Sequence, residues 1–293
     1  MMRNRWIVAG TLVLIAAACA SQDKASVATT DSAAAGVAGV ASAAIPAPNI
    51  VTVHAKDFVF EAPAQIPAGM TTFRLINDGA NLHHLDIVRL DSGKTLADLQ
   101  IELAKPAALP GWAVFQGGPN APDPKKETSA TLALQPGNYA MICFVNAPGG
   151  VPHFAKGMVY PFTVTSAPAG PAAVAPTPDM TITLTDYAFG LSTPLTAGTH
   201  TFEVRNNATQ IHEIELIRLA PGKTLDSMMR WLSSPNGPPP GSAIGGIAPF
   251  IGAPNYFTAD ITPGNYLLFC FVPDATDGKP HFMHGMAKTI TVM

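Results

Sequence analysis

The chain has 293 residues, 13% of them charged and 47% hydrophobic, with a formal net charge of −3. That length predicts about two domains of roughly 150 residues each. The weakly acidic, charge-poor composition lacks the basic footprint of a nucleic-acid binder, and three cysteines are too few for a disulfide scaffold.

Met1–Arg5 is a short basic head, Trp6–Ala18 an apolar run of 13 residues, and small residues follow. This order predicts a signal peptide over residues 1–20. The run is short for a bilayer span, which takes about 20 residues. Two cleavage routes are open. Ala16-Ala17-Ala18-Cys19 matches a relaxed lipoprotein signal, in which Cys19 becomes the lipidated first residue. Ala18-Cys19-Ala20 also fits ordinary signal peptidase. Either route ends outside the cytoplasm, in the periplasm or at the cell surface, with a membrane tie only through Cys19. Residues 21–47, rich in Ala, Ser, Thr and Gly, bury too little apolar surface to order themselves and are expected to form a flexible tether.

Strands are predicted over Ile50–His54, Thr71–Ile76 and Leu85–Leu90, where β-branched residues dominate or polar and apolar residues alternate. Thr95–Ala104 places Leu96, Leu99 and Leu103 on one face and predicts a short helix. Tyr139–Cys143 and Val159–Val164 follow as strands, the second with a proline that suits a sheet edge or a strand start. Residues 166–178 are Pro/Ala-rich and predict an extended linker.

The chain then repeats itself. Lys56-Asp57-Phe58-Val59-Phe60 matches Thr185-Asp186-Tyr187-Ala188-Phe189 at an offset of 129 residues. Asn77, His83 and Gly93-Lys94-Thr95-Leu96 match Asn206, His212 and Gly222-Lys223-Thr224-Leu225 at the same offset. Pro136-Gly137-Asn138-Tyr139 and Cys143 match Pro263-Gly264-Asn265-Tyr266 and Cys270 at 127. His153 and Met158 match His281 and Met286 at 128. Thr224–Leu232 repeats the helical pattern. The expected fold class is all-β: two tandem Greek-key sandwich or barrel domains, 48–165 and 179–293, each with a short helical excursion.

Four residue types recur in one order: His83, Cys143, His153, Met158, and then His212, Cys270, His281, Met286. One thiolate, two imidazoles and a weak thioether make the blue-copper donor set. Thiolate and thioether favour Cu(I), while imidazole also accepts Cu(II). With these residues in place, both copies resemble the cupredoxin family, its plastocyanin-like blue copper proteins in particular. Asn77–His83 and Asn206–His212 resemble the stretch that ends in the first ligand. Tyr139–Cys143 and Tyr266–Cys270 resemble the strand delivering the cysteine, and Pro152-His153 to Met158 and Pro280-His281 to Met286 keep the family's His-to-Met spacing. The resemblance implies one mononuclear copper per domain. One departure stands out: nine residues (Phe144–Pro152) and ten (Phe271–Pro280) separate Cys from His, where plastocyanin-like proteins have two to four. An outward bulge is the expected way to absorb them.

His84 follows His83, with Glu213 in its place in the second copy, and both are expected beside the ligands or in solvent. His281 is preferred to His284 as ligand, Met283 is an alternative soft donor, and His54 and His200 are expected at the surface. No Cys143–Cys270 disulfide is expected. Cys143 and Cys270 lack an adjacent His, and no His-x-His pair exists, so the expectation is that the chain is not an enzyme. Three functions stay open: an electron carrier meeting redox partners of the cell envelope, a copper-storage or copper-delivery protein, and a metal-free binding module. For the carrier, Pro238-Pro239-Pro240, Ile247–Ile251 and Phe282 are expected to form an apolar contact surface around His281.

Overall fold

Alternation shapes the first strand: Val51, Val53 and Ala55 are buried, while Ile50, Thr52 and His54 between them reach the surface. The computed structural model describes residues 46–105 and 108–293. The expected signal peptide, Cys19 and the tether up to residue 45 lie outside them. No helix among the described residues is long and apolar enough to cross a membrane.

The first repeat runs β1 (Asn49–Lys56), β2 (Val59–Glu61), β3 (Gln65–Pro67), β4 (Gly69–Asn77), β5 (Asp86–Leu90), α1 (Leu96–Leu103), β6 (Ala113–Gly117), β7 (Glu127–Leu134), β8 (Gly137–Ile142) and β9 (Val159–Thr165). The second runs β10 (Met180–Thr185), β11 (Ala188–Leu191), β12 (Gly198–Asn206), β13 (His212–Leu219), α2 (Leu225–Ser233), β14 (Gly241–Phe250), β15 (Asn255–Ile261), β16 (Gly264–Phe269) and β17 (Ala287–Val292). Every strand and helix expected in the first repeat is present. Pro161 sits in β9 ahead of the stretch Thr163–Thr165 that pairs with β3, so its missing N–H costs that edge nothing. Each helix opens on a reciprocal cap, Thr95 with Asp98 and Thr224 with Ser227.

Each repeat is a two-layered β-sandwich. In the first, β2-β1-β4-β7 face β6-β5-β8-β9-β3, and in the second, β11-β10-β12-β15 face β17-β16-β13-β14. Each sandwich encloses its own core, centred on Phe73, Leu75, Ile87 and Tyr139 in one repeat and on Phe202, Val204, Leu216 and Tyr266 in the other. A second apolar cluster in each repeat seats the helix: Leu99 and Leu103 of α1 pack with Val88 and Ile142, and Met228 of α2 packs with Ile217 and Leu267.

The layers do not stop at the repeat boundary. β7 pairs with β15 at Thr131 and Tyr256, and β6 pairs with β14 at Gln116 and Phe250. The result is one eight-stranded and one nine-stranded sheet. The Gly/Pro-rich run ahead of Ile251 is therefore strand β14, with Ile247, Ala248 and Phe250 fully buried along the seam between repeats. The expected contact surface on those residues is corrected accordingly. Of that set only Pro238, Pro239 and Ile251 are exposed, and Phe282 packs against Phe269 and Phe271. Glycine makes the close approach possible, since a Cβ on Gly246 would stand 2.0 Å from the Ile214 carbonyl oxygen.

Candidate metal centres

Local turn chemistry delivers the first histidine. Asn77 accepts the Gly79 N–H at 3.0 Å through Oδ1, and its amide donates to the carbonyls of Asn81 at 2.8 Å and Pro122 at 3.0 Å. Asn206 repeats this with Ala208, Gln210 and Phe250 at 2.9, 2.9 and 2.8 Å. A short polar side chain thus pins the loop between strands that ends in His83 or His212. The cysteines sit just past the ends of β8 and β16. Their strands are anchored by Tyr139, which donates to the Gln135 carbonyl at 2.8 Å, and by Tyr266, which donates to that of Thr262 at 2.7 Å.

The long Cys-to-His segments fold outward and return. In the first repeat, Ala147 N–H donates to Val151 O at 2.9 Å and closes a small loop on itself, while Asn146 bridges Pro152. His153 N–H then reaches Val145 O at 2.8 Å, and Phe154 N–H reaches Cys143 O at 2.9 Å. In the second repeat, Asp274 N–H donates to Lys279 O at 2.8 Å, Pro273 bridges Pro280, and His281 and Phe282 return to Val272 and Cys270 at 2.9 and 3.0 Å. The extra residues are spent on the outside, so the histidines come back beside their cysteines.

The donor atoms converge. His153 Nδ1 is 3.4 Å from Cys143 Sγ, and His281 Nδ1 is 3.4 Å from Cys270 Sγ. His212 Nδ1 is 3.8 Å from Cys270 Sγ. In each repeat one atom from each His and the Cys sulfur all lie within 4.8 Å of one another. All six residues are fully buried, as are Met158 and Met286, which pack in the same apolar clusters as their cysteines. Cys143 N–H donates to Met158 O, and Cys270 N–H to Met286 O, each at 3.3 Å. Both cysteines are free. His83 Nδ1 is a buried ring nitrogen without a hydrogen-bond partner. An unpartnered ring nitrogen beside a thiol and a second imidazole, with a methionine in the same apolar cluster, fits a soft-to-borderline transition metal such as copper.

Two carboxylates stand behind these rings. Asp57 Oδ1 is 2.7 Å from His83 Nε2, and Asp186 Oδ1 is 2.8 Å from His212 Nε2. They complete a carboxylate–histidine arrangement that leaves Nδ1 free as the donor. Burial acts to raise the Asp57 pKa, but hydrogen bonds from Ala80, His83 and Asn81 outweigh it and hold the carboxyl at about 2. The second histidines are capped by aromatic rings: Phe58 lies 4.7 Å from His153, and Tyr187 lies 5.4 Å from His281. Sequence reasoning missed all four residues as parts of the site. The signal was present, because they form the Asp-Phe and Asp-Tyr pairs of the repeated motif.

The two centres differ electrostatically. His84 Nε2 is 2.6 Å from the Phe144 backbone nitrogen and 2.9 Å from Asp86 Oδ2. At the matching place Glu213 Oε1 accepts the Phe271 N–H at 2.7 Å. Burial works to raise the Cys143 thiol pKa, yet His84, His153 and His83 hold it well below the ordinary range. Burial, reinforced by the Glu213 carboxylate, pushes the Cys270 thiol up. Burial also lifts Glu213 to about 7, and burial with the nearby His212 depresses His281 to about 4.

The lesser candidates separate cleanly. His284 stands outside the cluster, 3.1 Å from Asp277, and Met283 is exposed. His54 pairs with Asp78 at 2.7 Å near the surface, and His200 meets the Thr196 carbonyl at 3.0 Å. A third grouping, Asp274, Asp277 and His284, belongs to the second repeat alone. There Asp274 accepts from Tyr187 Oη at 2.5 Å and from Gln210 Nε2 at 3.1 Å, and so braces the returning loop.

Together these features define an all-β protein of two tandem sandwiches, each with a buried His-Cys-His cluster. No protein-family profile and no curated protein matches the chain. Among solved structures it is similar to auracyanin A, a blue copper protein from Chloroflexus aurantiacus, at 22% identity, 40% of this chain, 99% of that one and a TM-score of 0.30. It is also similar to a blue copper oxidase from Nitrosomonas europaea at 15% identity, 84% of this chain, 86% of that one and a TM-score of 0.25. A copper nitrite reductase from the same organism matches at 13% identity, 85% of this chain, 94% of that one and a TM-score of 0.25. At such identities the likeness speaks to the fold alone. The last two are named an oxidase and a reductase and span most of this chain, so the expectation that the chain is not an enzyme is withdrawn, and no activity is assigned to it from likenesses of this degree.

Proposed function

We propose that the chain binds one copper ion in each repeat and passes electrons between redox proteins of the cell envelope. His83, Cys143, His153 and Met158 hold the first ion, and His212, Cys270, His281 and Met286 the second. The observation that carries this reading is the convergence of two ring nitrogens on one cysteine sulfur in both repeats, wholly inside the protein. Copper bound there would supply a one-electron Cu(II)/Cu(I) couple.

The protein's own residues supply the rest. Asp57 and Asp186 orient the first histidine of each set. The apolar surroundings of Met158 and Met286 exclude water. The closed outer loops return His153 and His281 to the backbone beside their cysteines. Full burial of every donor favours retention over hand-off, which supports electron transfer above copper delivery. The placement outside the cytoplasm rests on the signal-like N-terminus.

Copper titration of the protein without residues 1–20 tests this, followed by absorption and EPR. Two equivalents should bind with an intense visible thiolate–Cu(II) band and cycle reversibly between redox states. Absence of that band at every copper ratio would refute the reading.

A further inference from the structure

One hydrogen-bonded track joins the two donor clusters through the seam between the repeats. It leaves the first cluster at His83 and follows the backbone through His84 to Leu85, whose N–H donates to the Pro119 carbonyl at 3.2 Å. Pro119 is bonded to Asn120, which is only 3% exposed. The Asn120 amide donates to Glu213 Oε2 at 3.2 Å and to the Ile214 carbonyl at 3.3 Å. Glu213 follows His212 directly in the chain, and its own N–H donates to Cys270 Sγ at 3.5 Å.

The bridge is held firmly. Asn120 N–H reaches the Gly246 carbonyl at 3.4 Å, its Oδ1 accepts the Ala121 N–H at 2.8 Å, and its carbonyl accepts from Thr128 Oγ1 at 2.7 Å. A buried amide between two apolar cores is costly unless it is fully satisfied, and a leucine there would avoid that cost. Electron tunnelling decays much less along covalent and hydrogen bonds than across van der Waals gaps. Here two hydrogen bonds suffice to connect the backbone of one ligand histidine to that of the other.

We propose that Asn120 bridges the two centres for direct electron exchange within one molecule, making the chain a two-site relay and not two independent carriers. This rests on the copper reading given under Proposed function. In the step, one electron leaves the reduced centre and arrives at the oxidised one. No bond forms or breaks, no proton moves, and no further reactant is consumed.

Copper titration comes first: failure to load both centres overturns the function on which the relay depends, and is read separately from the route. Met286→Gln then gives the second centre its own spectrum and potential, because the axial donor tunes both. After a pulse that delivers less than one electron per molecule, the two bands should re-equilibrate in a first-order phase unaffected by dilution. Asn120→Leu in that background should keep both copper bands and slow the phase severalfold. If Asn120→Leu does not fold, Asn120→Ala removes the same two side-chain hydrogen bonds with less added bulk, and the dilution test on Met286→Gln still decides between relay and independent carriers. A copper-free measurement complements these: NMR of the metal-free protein should show the Asn120 side-chain amide protons protected from solvent exchange. Re-equilibration only by collision, an unchanged rate in the Asn120 variants, or an unprotected amide would each overturn the proposal.

Discussion

Asp57 and His83 meet at 2.7 Å, carboxylate oxygen to Nε2, and the same pair recurs as Asp186 and His212 at 2.8 Å. The contact settles which ring nitrogen is free, because an N–H committed to the carboxylate leaves Nδ1 as a lone pair facing the cysteine. Space for it is tight: a Cβ on Gly79 would stand 2.5 Å from Asp57 Oδ1 and 2.7 Å from His83 Nε2.

Asp57→Asn and Asp186→Asn should therefore weaken copper binding at their own centres by about 10–100-fold, the range for outer partners of metal-bound histidines. Competition against a chelator of known affinity measures this, with circular dichroism confirming that the fold survives. Equal affinities in variant and parent would show that the carboxylates do not tune the ligands.

Acid stability should report the same carboxylate. The folded pKa of Asp57, at about 2, lies below its ordinary 3.8. Its contribution is thus fully present above the unfolded value and lost as pH falls from about 4 towards 2. The shift corresponds to about 1–2 kcal/mol after allowance for partial solvent screening. In urea unfolding of the metal-free protein, Asp57→Asn should be less stable than the parent at pH 6, and the gap should close by pH 2. A gap constant across that range would mean that the asparagine harms the fold for another reason.

Met158 lies fully buried beside Cys143 in an apolar cluster. Met158→Leu conserves volume and should cost less than about 1.5 kcal/mol of stability. If the proposed site is right, the variant should still bind copper through His83, Cys143 and His153 but without the thioether, with a shifted potential seen by voltammetry. An unaltered potential would place the Met158 sulfur outside the coordination sphere.

Phe250 is buried on β14, where its strand meets β6. Phe250→Ala should destabilise the protein by about 3–5 kcal/mol, as for large aromatic residues deleted from a core. Thermal unfolding measures this. A near-neutral result would return Phe250 to the surface role that the sequence suggested.

What the sequence by itself determined were features with short-range or strictly repeated signals. Alternation in Ile50–His54 marked a strand because side chains there point to opposite faces every second residue. Leu96, Leu99 and Leu103 marked a short helix because residues at that spacing share one helical face. The order His, Cys, His, Met stood out because duplication printed it twice. Tertiary structure alone decided the rest. Asp57 lies 26 positions from His83 and meets it only when the β1–β2 turn packs over the β4–β5 loop. Its recurrence as Asp186 marked the position, but nothing local showed which group the carboxylate would meet. Gly245 to Phe250, the inner part of β14, carries no alternation, since a stretch buried on both sides at a seam needs apolar or missing side chains at every position. Asn120 reads as an ordinary loop residue until the two repeats close around it, because long-range pairing, not local propensity, places it between them.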